Sequence, residues 1–408
     1  MIKNYYFQIS LGIPMMTKRD RMLTAINREE PDRIPMFELI VDAAIVSADY
    51  LGKILTLIQN QARMPIQKML LKGIWNLLGK ERRELLLRKF AMGVATLANS
   101  ALVQNAVNFD IDATSVMLAP IVSKVELLST NRIRDEYGRL DRLEEGKLLW
   151  YEGGSLNSHE FLDQWGFPNP LDPLRINVFD TAAKIAEKKG MFLIPCLGGM
   201  METLYEGVGI ERFFYLLYDD PSFIRRIMDL QKKFLTELAK FLIAERGVEV
   251  VIFGDDSAYK SGPMMSVKHY EQYIFPRYHS IINSVHKLGA KALLHSDGNT
   301  HLILPGWIKA GIDGIHPWEP TAGWTLSEAK ASWGDKIAIL GNIDCNTLTY
   351  GPPERIKEEV KQAIRDAGPG GGYIMSSGNS IHNGIRPEHF QVMIDTCRKY
   401  GTYPLQVN

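Results

Sequence analysis

The stretch KALLHSDGN, residues 291–299, ends an apolar run with an imidazole and a carboxylate two positions apart. Side chains alternate across an extended chain, so His295 and Asp297 point to one face. A neutral imidazole beside a carboxylate suits a borderline-soft divalent cation, zinc above all, with a position left open for substrate. Gly298 lets the backbone turn away without crowding that face. The plainer alternative has His295 hydrogen-bonding a substrate and Asp297 shaping the turn. Similar polar endings recur elsewhere. VEVVIFGDD closes on Asp255 and Asp256 and is followed by Tyr259 and Lys260. Asp256, Tyr259 and Lys260 are candidate proton donors or acceptors. Asn342, near the end of KIAILGNID, joins them as a candidate catalytic residue. Glu38, His316, Glu319, Ser377, Asn379 and His382 are candidate substrate contacts. Taken singly, His316, Glu319 and His382 read better as groups that satisfy backbone or sit on a rim, and either Asp255 or Asp256 can cap a helix.

The three cysteines are spread out and form no CxxC pair. That excludes a disulfide framework and fits a reducing, cytoplasmic setting. Cys196 lies inside an apolar run and Cys397 in a terminal helical stretch, so only Cys345 falls near a strand end. None reads as a nucleophile.

These residues need a scaffold that gathers many strand ends. Short apolar runs ending in Gly, Asp or Pro occur at 34–40, 111–118, 191–199, 248–256, 291–298, 312–320, 336–344 and 371–379. Helical periodicity fills most of the gaps, at Val178–Lys189, Pro221–Glu245 and Pro353–Ala367 among others. Eight strands alternating with helices predict an α/β fold, a (β/α)8 TIM barrel, whose C-terminal strand ends build the active site. Residues 1–16 read as a loosely held N-terminal extension without the features of a signal peptide. Thr17 caps a helix running to about Asn27, with Asp20 completing a box-like start. Residues 17–408 read as one barrel domain carrying a helical insertion at about 42–108 and a β-hairpin excursion at 121–157.

With 408 residues and a formal net charge of zero, the chain offers no global field for nucleic acid or an anionic membrane. The longest uncharged stretch, Phe90–Phe109, is interrupted by Asn99, Ser100, Gln104, Asn105 and Asn108 and reads as a buried helix rather than a span. The basic amphipathic piece at 68–90 reads as a solvated lid helix rather than a docking element.

Four motifs carry a family resemblance: TKRDRMLTAINREEPDRIPMFE, FGDDSAYKSGPMMSVKHYEQYIFPRYHSII, HKLGAKALLHSDGN and LGNIDCNTL. In this order they resemble the uroporphyrinogen decarboxylase superfamily, which also contains methyltransferases that serve corrinoid proteins. The resemblance runs from Thr17 to the C-terminus, is strongest over Val248–Ile343, and implies a (β/α)8 barrel and a homodimer. The true decarboxylases carry an arginine-rich RQAGR loop after the first strand, whereas FELIVDAAIV here has no arginine. A substrate with eight carboxylates needs cationic partners. Thiol-methylating members hold zinc with a His-x-Cys pair after strand five and a Cys near strand eight. His295 matches that histidine, Asp297 stands in for the first cysteine, and Ser377 and Asn379 fall where the second would be.

The resemblance therefore implies a methyltransferase of the O-demethylase kind. It would take a methyl group from a small methoxylated or methylated substrate to a corrinoid carried by a partner protein, with zinc as Lewis acid. The alternatives are a decarboxylase-like lyase for a small carboxylate and a non-catalytic binding barrel.

Overall fold

The computed structural model describes residues 15–42, 79–120, 123–129, 131–144 and 147–406. The expected extension and the segment 43–78 of the expected insertion therefore lie outside the described residues, apart from the junctions at Met15, Met16 and Asp42.

Eight parallel strands form the barrel: β1 (Phe37–Glu38), β2 (Ala113–Met117), β3 (Phe192–Cys196), β4 (Val250–Gly254), β5 (Lys291–His295), β6 (Gly314–Trp318), β7 (Ala338–Ile343) and β8 (Tyr373–Ser377). They neighbour one another in that order. The ring closes where Met36, just before β1, bridges Met375 of β8 in parallel. Every strand falls on one of the apolar runs marked in the sequence. The runs are continuous rather than alternating because a parallel barrel buries both faces of each strand. Ile252, Leu293, Leu340 and Ile374 fill the interior, while Ala292 and Leu294 pack outward against the helices. Each fully buried side chain of this kind contributes roughly 1.5–3 kcal/mol.

The helices start and stop where the sequence signals them. Thr17 accepts a hydrogen bond from the amide of Asp20 and starts the helix Lys18–Ile26. Asp220 caps Pro221–Arg246, and Gly247, in the left-handed region at φ 66°, ends it. At Leu326–Trp333, Thr325 and Glu328 form a reciprocal capping box. The polar interruptions of the long uncharged stretch have partners: in the helix Lys80–Phe109, Asn105 donates to the Val41 carbonyl and Asn99 accepts from the Met117 amide. Among the described residues no helix is long and apolar enough to cross a membrane.

The excursion after β2 is larger than the expected hairpin. Glu126–Leu127, Arg132–Arg134, Arg139–Glu144 and Lys147–Gly154 form a four-stranded antiparallel sheet. Its last strand leans on the short helix Glu202–Val208. Tyr151 donates to the Glu206 carbonyl at 3.1 Å, the Leu156 amide donates to the Gly207 carbonyl at 3.0 Å, and Arg139 pairs with Glu206 at 3.1 Å.

At the opposite end of the barrel from the strand C-termini, Arg21 from the first helix is buried between Asp32 and Asp112, at 2.6 Å from each. Arg33 reaches the same Asp112 at 2.8 Å. This pairing satisfies charges that burial would otherwise strongly disfavour.

Candidate active site

His295 ends β5 and Gly254 ends β4, paired in register, so Asp256 and Asp297 leave the barrel side by side. The Asp297 amide donates to Asp256 Oδ1 at 3.0 Å. His295 Nε2 lies 3.6 Å from Asp256 Oδ1 and 3.8 Å from Asp297 Oδ1, too far for hydrogen bonds. Gaps of that size are what ligands about 2.1 Å from a shared ion leave between them. Among the described residues, Asp256, His295 and Asp297 are a group whose ligand atoms all lie within 4.8 Å of one another. Asp297 Oδ1 is buried without a hydrogen-bond partner. One nitrogen and two carboxylate oxygens, one of them orphaned, fit a divalent cation. Burial first, with Asp256 and Glu319 adding to it, raises Asp297 above the usual carboxylate range. A cation would reverse that shift.

The neighbouring carboxylate Asp255 does something else. Its Oδ1 accepts from the amides of Met201 and Glu202 at 2.8 Å each, and Tyr278 donates to Oδ2 at 2.7 Å. It is therefore the helix-capping member of the Asp pair, fastening the helix Glu202–Val208 to β4.

The cluster borders a cavity of about 550 Å³ at the strand ends. Of the residues singled out in the sequence, Tyr259, Lys260, Asp297, Glu319, Asn379 and His382 line it. Asn379 donates to Asp297 Oδ2. Glu319 accepts from the Gly298 amide at 2.8 Å and pairs with Lys260 at 3.6 Å. His382 Nδ1 accepts from the Gly384 amide at 3.1 Å. Cys345 also lines the cavity, and burial pushes its thiol up to about 12. Cys196 and Cys397 are buried and likewise raised to about 12.

Three expected substrate contacts lie elsewhere. Glu38, His316 and Ser377 are wholly buried beneath the cluster and do not line the cavity. Glu38 accepts from the Ser377 amide at 2.8 Å and the Ser377 hydroxyl at 2.6 Å, with Ser376 Oγ at 3.3 Å. Burial pushes its carboxyl up to about 8 against those hydrogen bonds. His316 stacks on His295, and burial holds its imidazole well below the usual histidine range. Asn342 on β7 pairs with Ser376 in register but is not a cavity residue either. Nothing in the sequence pointed to Glu202. It opens the helix Glu202–Val208 after β3 and accepts from the Asp256 amide at 3.4 Å. Its carboxyl is raised by burial and then by Asp256.

A barrel with an acidic, metal-capable cluster at its strand ends is an enzyme-like architecture. The family model for uroporphyrinogen decarboxylase (URO-D) matches residues 162–400. The chain belongs to that family. Among curated relatives, uroporphyrinogen decarboxylase of Alkalilimnicola ehrlichii is 29% identical over 193 residues, covering 45% of this chain and 49% of that protein. The enzyme of the same name from Escherichia coli O81 is 26% identical over 253 residues, covering 58% and 68%. The matches thus span from about half to two thirds of these relatives. A methyltransferase from Methanosarcina mazei has the same fold, with a TM-score of 0.68 at 18% identity, covering 94% of this chain and 99% of that one.

Proposed function

We propose that this chain is a methyltransferase that removes a methyl group from a small methoxylated or methylated substrate and delivers it to a corrinoid carried by a partner protein. The observation that carries the reading is the Asp256–His295–Asp297 cluster beside the cavity, with Asp297 Oδ1 left unpartnered. Zinc held by these three residues would supply Lewis acidity toward the heteroatom that bears the methyl group. Asn379 lines the cavity, donates one amide hydrogen to Asp297 Oδ2, and has a second with which to orient that heteroatom. When the bond from carbon to heteroatom breaks, the methyl group departs and the heteroatom keeps the electron pair and needs a proton. Tyr259 and Lys260 line the same cavity and are the donors. Glu319 holds the Lys260 ammonium close to the site. The structural likeness to the M. mazei methyltransferase spans nearly the whole chain and is compatible with this reading, though at 18% identity it speaks for the fold alone.

A decarboxylase-like lyase is the second reading, favoured by the names of the sequence relatives. Charge counts against a polycarboxylate substrate. Lys260 shares the cavity lining with Asp297, Glu319 and Asp344, so an anionic guest meets more carboxylates than ammonium groups. A non-catalytic binding barrel would need neither metal nor acid.

The deciding experiment is metal analysis of protein purified without chelator and supplied with zinc, followed by methyl transfer from a panel of methoxylated compounds to cob(I)alamin. Stoichiometric zinc, lost in His295→Ala while the barrel stays folded, is the expected result. A wild type that holds no metal removes the Lewis-acid step. Carbon dioxide release from a small acid in place of methyl transfer would favour the lyase.

A further inference from the structure

Beneath the cluster, four polar side chains from four strands form one unbroken chain of contacts. His295 Nδ1 lies 2.8 Å from His316 Nδ1. His316 Nε2 lies 3.0 Å from Ser376 Oγ, and Ser376 Oγ donates to Glu38 Oε2 at 3.3 Å. His316, Ser376 and Glu38 are at most 1% exposed, so these groups meet one another rather than water. From this chain we infer that Glu38, acting through Ser376 and His316, sets which ring nitrogen of His295 carries its proton, and thereby whether Nε2 is free to bind a cation.

Two Nδ1 atoms at 2.8 Å are joined by a single proton, so one ring donates and the other accepts. A His295 that offers the Nε2 lone pair to a metal keeps its proton on Nδ1 and donates it to His316. His316 then carries its own proton on Nε2 and donates to Ser376. The Ser376 hydroxyl, having accepted there, donates onward to Glu38, which must accept, as a carboxylate does. If Glu38 instead donates to Ser376, every bond reverses. His316 then donates to His295, whose proton sits on Nε2 facing Asp256 and Asp297, and a cation can bind there only as Glu38 gives up its proton. One proton at Glu38 thus corresponds to one proton at His295 Nε2, with no net change in the groups between. Burying a carboxyl is otherwise costly, and Glu38 has three serine hydrogen bonds but no salt-bridge partner among the described residues. Glu38, Ser376 and His316 are positioning residues, since none touches the cavity. Residues that orient a ligating histidine in this way commonly change metal affinity by about 10- to 100-fold.

The effect on affinity rests on the metal reading of the cluster; the chain of hydrogen bonds does not. Two measurements separate them. In the first, metal-free full-length protein is titrated with zinc against a competing chelator. Glu38→Gln and Ser376→Ala should weaken zinc binding by about 10- to 100-fold without loss of fold, and Ser376→Thr, which keeps the hydroxyl, should restore it. Wild-type affinity in folded Glu38→Gln and Ser376→Ala overturns the inference. In the second, nitrogen-isotope-labelled histidine in the metal-free wild type should show a coupling across the hydrogen bond between the Nδ1 atoms of His295 and His316. Its absence overturns the relay even if zinc binds or the variants fail to fold. Its presence in a wild type that holds no zinc supports the relay and refutes only the assignment of a metal to Asp256, His295 and Asp297.

Discussion

The Gly298 amide donates to the Glu319 carboxylate at 2.8 Å, tying the exit of β5 to the exit of β6 directly above the cluster. Gly298 adopts φ +84°, and a Cβ there would lie 2.5 Å from the Ala258 carbonyl oxygen. Gly298→Ala should therefore destabilise the protein by about 1–3 kcal/mol and weaken metal binding, because Asp297 moves with its neighbour. Thermal unfolding and zinc titration read both effects. An unchanged melting temperature would mean that the loop after β4 yields without strain.

Stability and site chemistry should separate at the other end of the barrel. Asp112→Ala leaves the buried Arg21 and the nearby Arg33 without a shared carboxylate, and a loss of about 3–5 kcal/mol is expected in denaturant unfolding. Zinc bound per folded molecule should not change. His295→Ala should show the opposite pattern, with metal lost and most stability retained.

Glu38 also predicts a pH dependence of stability. Its carboxyl is raised to about 8 in the folded chain by burial, whereas the unfolded chain ionises near the ordinary glutamate value. Between those values the folded state holds a proton that the unfolded state has released, so stability falls as pH rises through the window. The contribution is fully present below the unfolded value and lost once pH passes about 8. Relative to Glu38→Gln, which does not titrate there, the wild type should lose stability on the order of a few kcal/mol between pH 5 and pH 8. Chemical denaturation of both proteins across that range checks it, and parallel curves would contradict it.

Cys345 lines the cavity with a thiol that burial keeps protonated, up to about 12. Cys345→Ser should lower methyl transfer only modestly and leave zinc in place. Joint loss of activity and metal would make that sulfur a ligand and displace the oxygen-rich cluster.

The barrel was legible because each strand is buried on both faces and so appears as an uninterrupted apolar run ending in turn residues. His295 and Asp297 were legible for a local reason, their spacing of two at the end of one strand. The layer beneath them was not. Glu38, His316 and Ser376 meet through the register of β1, β6 and β8, which are far apart in sequence. Periodicity can say which face a side chain takes but not how deep it sits. Asp255 and Asp256 are adjacent and chemically alike. Only the placement of the helix Glu202–Val208, whose amides take one of them, tells the pair apart. The excursion misled for a related reason, since alternating residues signal extended chain but do not count how many strands will pair.

That short helix has a mechanical consequence. Asp255 clamps its first amides to β4, and the excursion sheet grips its last turn through Gly207 and Glu206. It works as a strut whose near end abuts the metal-capable cluster, because Glu202 accepts the Asp256 amide, and whose far end is held on the outside of the barrel. Load applied to the antiparallel sheet is therefore delivered to Asp256 through one turn of rigid backbone. A probe fixed beside Tyr151, which does not line the cavity, should therefore report strain at Asp256 when the site fills.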